Sequence, residues 1–169
     1  LKESFRLHTL SDGMLDITIG PLVNLWGFGP NSIPNKVPSL QQLAKARGKV
    51  GMGNVIFNGT SVTKQTADMF IDLSTIAKGY GVDVVAQRLG SVGIRNYLVE
   101  IGGELRLSGV KPDNSDWKVA IEKPIADGRG VQQVISVGNN AVATSGDYRQ
   151  FFQQQGKRYS HLINPKTGM

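Results

Sequence analysis

The sequence predicts an α+β fold: one domain over residues 1–169, built mostly of antiparallel strands with a few helices. Three observations carry this expectation. Short apolar runs alternate with Gly-containing turns, as around Asn58-Gly59 and again at Gly102-Gly103, the pattern of strands joined by tight connections. Helical periodicity is confined to a few segments, clearest where Ile76, Tyr80 and Val84 fall at i, i+4 and i+8. No G-x-G-x-x-G opens a helix after a strand, which rejects a dinucleotide-binding doubly wound sheet.

Taken in order, residues 1–11 place Phe5, Leu7 and Leu10 among polar residues, a helix that stops at Asp12-Gly13. The stretch DGMLDITIGPLVNLWGFGP mixes turn residues with a dense apolar run, and Pro21 suits the first turn of a short helix reaching about Trp26. Ser39 is an N-cap for a helix that carries Leu40, Leu43 and Ala44 on one face and stops at Gly48. Residues 54–64 read as a hairpin with Asn58-Gly59 as its turn, and a strand then reaches Ile71. The helix through Ile76, Tyr80 and Val84 continues to Leu89 and is closed by Gly93. Strands follow at 97–101, 105–110, 117–121, 131–137 and 141–144, with Gly102-Gly103 as a turn or bulge. FFQQQGKRY is a strand, turn and strand, and residues 158–163 alternate before the turn NPKTG.

A chain of 169 residues can bury roughly 70% of its unfolded surface, enough for a real core. Its 40% hydrophobic and 19% charged residues are those of an ordinary globular domain. Gly is abundant at 21 residues, which fits many turns and close backbone approaches. The net charge of +6 comes from scattered Lys and Arg; the densest cluster is the pair Lys157-Arg158. Nucleic-acid binding usually shows a basic stripe with interleaved aromatics, and none is present. Without cysteine there is no disulfide, thiolate metal site or cysteine nucleophile. No stretch reaches the ~20 apolar residues of a membrane span. Residue 1 is not Met and opens no signal peptide, so both ends are expected to be truncated, with any targeting information outside.

Three polar segments could carry chemistry. In IDLSTIAKGY a helix begins near Ser74 after Asp72, and a helix N-terminus with its unpaired N–H groups is a ready anion site. Lys78, one turn in, could reach a phosphate or a ring oxygen. The plainer reading has Asp72 or Ser74 capping the helix and Lys78 as a solvated charge. In VEIGGE the glycine pair allows close backbone approach to a ligand, or simply makes a bulge. In ATSGDYR and SHLINP a hairpin between the two would bring Ser145 near His161; no G-x-S-x-G elbow surrounds the serine, and a lone His is often only a hydrogen-bonded core residue. His8, in the first helix, is assigned no role. These residues by themselves support no more than a phosphate or nucleotide ligand.

Four long segments, DGMLDITIGPLVNLWGFGP, IDLSTIAKGYGVDVVAQRL, NYLVEIGGELRLSG and ATSGDYRQFF…GKRYSHLINPKTG, resemble in order the successive motifs of the ApbE family of FAD:protein FMN transferases, and they run across nearly the whole chain. The resemblance implies an ApbE-like fold that binds FAD with Mg²⁺ at the diphosphate. A threonine hydroxyl of a target protein attacks the phosphate on the FMN side, AMP leaves, and FMN stays attached by a phosphoester bond. Some relatives instead hydrolyse FAD to FMN and AMP, and a flavin-binding protein without transfer is the remaining alternative.

The resemblance also assigns residues. It places Met14, Leu15 and Asp16 in a flavin-contacting turn, and Asp72 and Lys78 at FAD-contacting positions. Thr75 matches a metal-ligand position, through its backbone carbonyl; His161 matches a catalytic position, and Ile163 lies against the FAD. Gly102 and Gly103 match a glycine pair with a backbone role near the cofactor. The family's pattern continues past NPKTG to an Asp-Ala-x-x-Thr segment that supplies the other metal ligands, and it also has an upstream flavin-touching part. Acceptors implied are flavoprotein subunits of membrane redox pumps, of the Na⁺-translocating NADH:quinone reductase or Rnf type. The implied location is the periplasmic side of the bacterial inner membrane, held by a lipidated Cys upstream of residue 1.

Overall fold

Local signals set the first helices of the chain, whose computed structural model describes residues 1–30, 36–125 and 128–169. Helix α1, Lys2–Leu10, ends where Asp12 and Gly13 take positive φ of 50° and 77°, and Gly13 N–H closes the turn on the His8 carbonyl at 2.8 Å. This is the left-handed exit that Gly makes inexpensive. Helix α2, Gly20–Leu25, has Pro21 in its first turn, where the missing N–H costs nothing. Helix α3, Leu40–Arg47, starts on a complete capping box: Ser39 Oγ accepts from Gln42 N–H, and Gln42 Oε1 accepts from Ser39 N–H.

The contacts of the described residues divide them into two units. The first comprises 1–75 and 150–169, the second 76–149. The first unit holds α1 to α3 and two hairpins, β1 (Val55–Phe57) with β2 (Val62–Lys64), and β8 (Phe151–Gln154) with β9 (Lys157–Ser160). Its core gathers Leu22, Trp26, Leu43 and Phe152, with Phe28, Tyr159 and Ile163 packed against them. Trp26 and Phe152 each stack on Tyr159, at centroid distances of 5.3 and 5.2 Å. Burying several aromatic faces in one cluster supplies much of this unit's apolar stabilisation.

The second unit holds helix α4, Ser74–Ser91, from Ile76 onward, and five strands. Strands β3 (Tyr97–Ile101), β4 (Glu104–Ser108) and β7 (Ala141–Val142) form one sheet in the order β3-β4-β7. Strands β5 (Lys118–Glu122) and β6 (Val131–Ser136) form another, with a register shift at Ile121/Glu122. Val82 and Ala86 of α4 bury against Val99 of β3, with Leu89 and Tyr97 beside them. All pairings are antiparallel, so the α+β expectation holds.

Several local expectations change. No strand leads to Ile71: the chain turns at Thr66–Met69, Met69 N–H bonding the Thr66 carbonyl at 3.1 Å, and then reaches Ile71 without a ladder. The first hairpin does not turn on two residues; Phe57 pairs with Val62, and the loop 58–61 is closed by Asn58 Oδ1, which accepts from the N–H groups of Thr60 and Ser61. On α3 only Leu43 of the three expected face residues is buried, and Leu40 is 82% exposed, because the core contact runs through Leu43 and Ala46. On α4 the buried residues are Val82 and Ala86, with Leu89 partly buried beside them, while Tyr80 is 71% exposed. The i, i+4, i+8 pattern identified the helix correctly and its buried face wrongly.

Candidate functional site

Within the first unit, the structure draws three motif segments together. The turn Gly13–Asp16 leaves α1 through Ser11, whose Oγ accepts from Leu15 N–H at 2.9 Å. The Leu15 carbonyl receives His8 Nδ1 at 2.7 Å; a carbonyl only accepts, so that nitrogen carries the proton. His8, which the sequence left without a role, thus holds the Met14-Leu15-Asp16 turn. No local pattern marks it, because its partner lies seven residues on. Met14 is 47% exposed at the turn's tip. Asp16 turns inward: its Oδ1 accepts from the N–H of Thr18, at 2.7 Å, and from the Thr18 hydroxyl. Thr18 is fully buried and its Oγ1 accepts from Gly51 N–H at 2.7 Å. Asp16 therefore shapes the loop as well as bordering it.

The second segment meets the first at one backbone bond, Asp72 N–H to the Ile17 carbonyl at 2.7 Å. Beside it, Gly20 faces the Phe70 ring so closely that a Cβ there would sit 2.5 Å from the ring. Asp72 Oδ1 accepts from Ser74 N–H at 2.8 Å and so caps the first turn of α4. Thr75 follows in that turn and is exposed.

The third segment, His161 to Gly168, closes over the first. Lys166 Nζ pairs with Asp12 at 2.8 Å, and the Trp26 indole N–H donates to the Gly168 carbonyl at 2.7 Å. Asn164 Oδ1 shapes the loop by accepting from the N–H groups of Lys166 and Thr167. The Asp12 carboxyl is held below its usual range by the Lys166 hydrogen bond and charge. His161 is half-buried, edge-on to Phe28, with its N–H on the Gln150 carbonyl at 3.2 Å and Nδ1 3.4 Å from that same oxygen. A protonated Nδ1 there leaves Nε2 as the acceptor. Ile163 packs on the aromatic core and, with Trp26 and Tyr159, lines a shallow hollow of about 210 Å³.

Lys78, Gly102 and Gly103 lie in the second unit and come together there. The glycines form a two-residue hairpin turn with φ of 58° and 97°, flanked by the pair Ile101 and Glu104. Positive φ at both positions is the primed turn that matches strand twist, so the turn is favoured over the bulge. Lys78 Nζ reaches the Gly102 carbonyl at 3.0 Å and Glu104 Oε1 at 2.9 Å. Gly103 N–H donates to Glu100 Oε1 at 2.6 Å. Glu100 and Glu104 were not singled out in the sequence, although their places flanking the glycine pair could have flagged them. Ser145 lies in the second unit, His161 in the first.

Among the described residues, no three His, Cys, Asp or Glu side chains gather as a metal-binding group. Thr75 by itself is one exposed oxygen donor, short of the six oxygens Mg²⁺ prefers. The residues described do not fit a complete Mg²⁺ site. Also among the described residues, no helix is long and apolar enough to cross a membrane.

Comparison with known proteins adds the lineage. The ApbE family model matches residues 1–169. The chain is 53% identical over 168 residues to the FAD:protein FMN transferase of Vibrio cholerae, covering 99% of this chain and 50% of that protein. It is 40% identical to the FAD:protein FMN transferase of Escherichia coli K12, covering 98% of this chain and 48% of that protein. The solved structure of the flavin transferase ApbE from Vibrio cholerae superposes with a TM-score of 0.85 over 99% of this chain and 53% of that one. The chain thus spans about half the length of the curated relatives it matches. With that family match across every residue and that identity over nearly the whole chain, this chain belongs to the ApbE family.

Proposed function

We propose that the protein is a flavin transferase that takes FAD and attaches FMN to a threonine of a target flavoprotein, releasing AMP. One observation carries the reading: the Met14–Asp16 turn, Asp72 and the His161–Gly168 loop are tied into one unit by the Asp72–Ile17 and Lys166–Asp12 contacts, and these are the segments that resemble the family's motifs. The relatives' names as FAD:protein FMN transferases support it. In this reading residues 1–169 are part of one ApbE-like domain that includes both units.

Transfer at a diphosphate depends on positioning and charge stabilisation more than on a strong nucleophile. Met14, Leu15 and Asp16 would contact the flavin, Asp72, Lys78 and Ile163 would contact the FAD, and the Gly102-Gly103 pair would have a backbone role near it. The acceptor threonine Oγ bonds to the FMN phosphorus as the P–O bond to AMP breaks. The threonine proton passes to His161, whose Nε2 is left as the acceptor when Nδ1 faces the Gln150 carbonyl. Mg²⁺ belongs to the proposal through the family resemblance, with Thr75 as one ligand; no step here is routed through it. Acceptors of the redox-pump type and a periplasmic, lipid-anchored location complete the reading on the same basis.

The test mixes the full-length protein with FAD, Mg²⁺ and an acceptor subunit bearing the threonine, and follows flavin fluorescence on a denaturing gel. A fluorescent acceptor band supports the transferase. AMP release without the band overturns it in favour of FAD hydrolysis, and FAD binding with neither signal leaves a flavin-binding protein. His161→Ala is expected to keep FAD affinity and slow transfer at least about 100-fold, the usual reach of a general base; an unchanged rate removes His161 from the mechanism.

A further inference from the structure

The turn that leaves α1 satisfies its first donors within itself. Gly13 N–H goes to the His8 carbonyl at 2.8 Å, Met14 N–H to the Ser11 carbonyl at 3.1 Å, and Leu15 N–H to Ser11 Oγ at 2.9 Å. These acceptors belong to the end of α1 and the residue after it, so the three N–H groups face back to the helix. Asp16 N–H differs: among the described residues it meets no acceptor. His8 decides where that N–H points. The Leu15 carbonyl receives His8 Nδ1–H at 2.7 Å and is thereby turned towards α1. The peptide joining Leu15 to Asp16 is trans and planar, so its N–H lies opposite its carbonyl. With the carbonyl drawn to His8, Asp16 N–H faces away from α1.

Both sides of this peptide are braced. The Asp16 side chain accepts from the Thr18 N–H at 2.7 Å and from the Thr18 hydroxyl. The imidazole lies along Gly13: the point where a Cβ would stand there is 3.5 Å from His8 Cε1 and 3.6 Å from Lys166 Cε, so ring and lysine stem flank the glycine. Lys166 is held in turn by Asp12 at 2.8 Å. All these residues lie in the first unit. A donor whose direction is set before a ligand arrives loses little ordering entropy on binding. We propose that His8 is a positioning residue for the flavin: by holding the Leu15 carbonyl it keeps Asp16 N–H turned outward, as a donor to a carbonyl oxygen or unprotonated nitrogen of the ring. This inference rests on the flavin reading above. It adds a residue outside the turn, on α1, that aims the turn's donor.

The test uses the full-length protein and FAD. Affinity is read by flavin fluorescence quenching, and hydrogen bonding to the ring by the visible absorption band of bound FAD. His8→Leu fills similar space without a donor; it is expected to weaken FAD about tenfold and to shift the band, because the Leu15–Asp16 peptide is then free to turn. His8→Asn carries an amide N–H on Cγ, where the imidazole carries Nδ1. It is expected to bring affinity back to within about threefold, with the band of the unaltered protein. His8→Gln carries its amide further out, at the reach of Nε2, and is expected to behave as His8→Leu does. Unchanged affinity in His8→Leu overturns the proposal. So does a loss with an unshifted band, which marks a loosened loop and not a lost ring contact. Equal behaviour of His8→Asn and His8→Gln also overturns it, since the Nδ1 donor is then not what holds the turn; this contrast carries the test if His8→Leu does not fold. Absence of FAD binding by the unaltered protein overturns the flavin reading itself, and this inference with it.

Discussion

At the scale of single residues, the glycine pair separates two effects that one substitution would merge. Gly103 has φ of 97° with open space where a Cβ would point, so Gly103→Ala meets backbone strain alone. Gly102 has φ of 58°, and a Cβ there would sit 2.9 Å from Lys78 Cδ. Both substitutions are expected to cost about 1–2 kcal/mol in urea unfolding, and only Gly102→Ala should also weaken FAD binding, by displacing the Lys78 side chain. Equal affinity losses from the two would count against the lysine's place in the site. His8 fixes the Leu15 carbonyl in the loop between α1 and α2, and Thr18 of that loop fixes the Gly51 N–H beyond α3.

At the scale of elements, α3 depends on its cap more than on its face. One buried residue, Leu43, anchors it to the core, and its first turn is held by the Ser39–Gln42 box. Ser39→Ala should therefore lower stability by about 1 kcal/mol, seen as a fall in the unfolding midpoint; no fall would mean that packing of Leu43 and Ala46 suffices. The primed turns show the complementary case. Gln155-Gly156, with φ of 51° and 75°, closes β8 on β9 as Gly102-Gly103 closes β3 on β4. Two-residue turns of this kind set register locally, which is why the strand, turn and strand of FFQQQGKRY is legible in the sequence, whereas Gly102-Gly103 is open there between a turn and a bulge.

At the scale of the whole molecule, charge decides the response to acid. Glu3, Asp12, Asp68 and Asp113 are all held below their ordinary range: Glu3 by Arg6, Asp12 by Lys166, Asp68 by Lys49, and Asp113 by hydrogen bonds from Ser115. A carboxyl lowered on folding adds stability above its unfolded pKa and loses it as pH falls through the folded one, so the melting temperature should drop as pH goes from about 5 towards 2. All four groups are exposed, so the drop should be small, and 0.5 M salt should shrink the share due to the three ion pairs. A melting temperature flat over that range would show that these contacts do not hold in solution. The sequence alone determined the α+β class, the four α-helices of the described residues, the β8–β9 hairpin and the family, because caps, turn glycines and long ordered motifs are local or linear signals. Tertiary structure alone decided which face of α3 and α4 is buried, that 65–71 forms no strand, that Asp72 meets Ile17, that His8 holds Leu15 and that Glu104 holds Lys78. Those outcomes depend on partners far along the chain or on which of two apolar stripes finds a neighbour, and neither periodicity nor spacing encodes that choice.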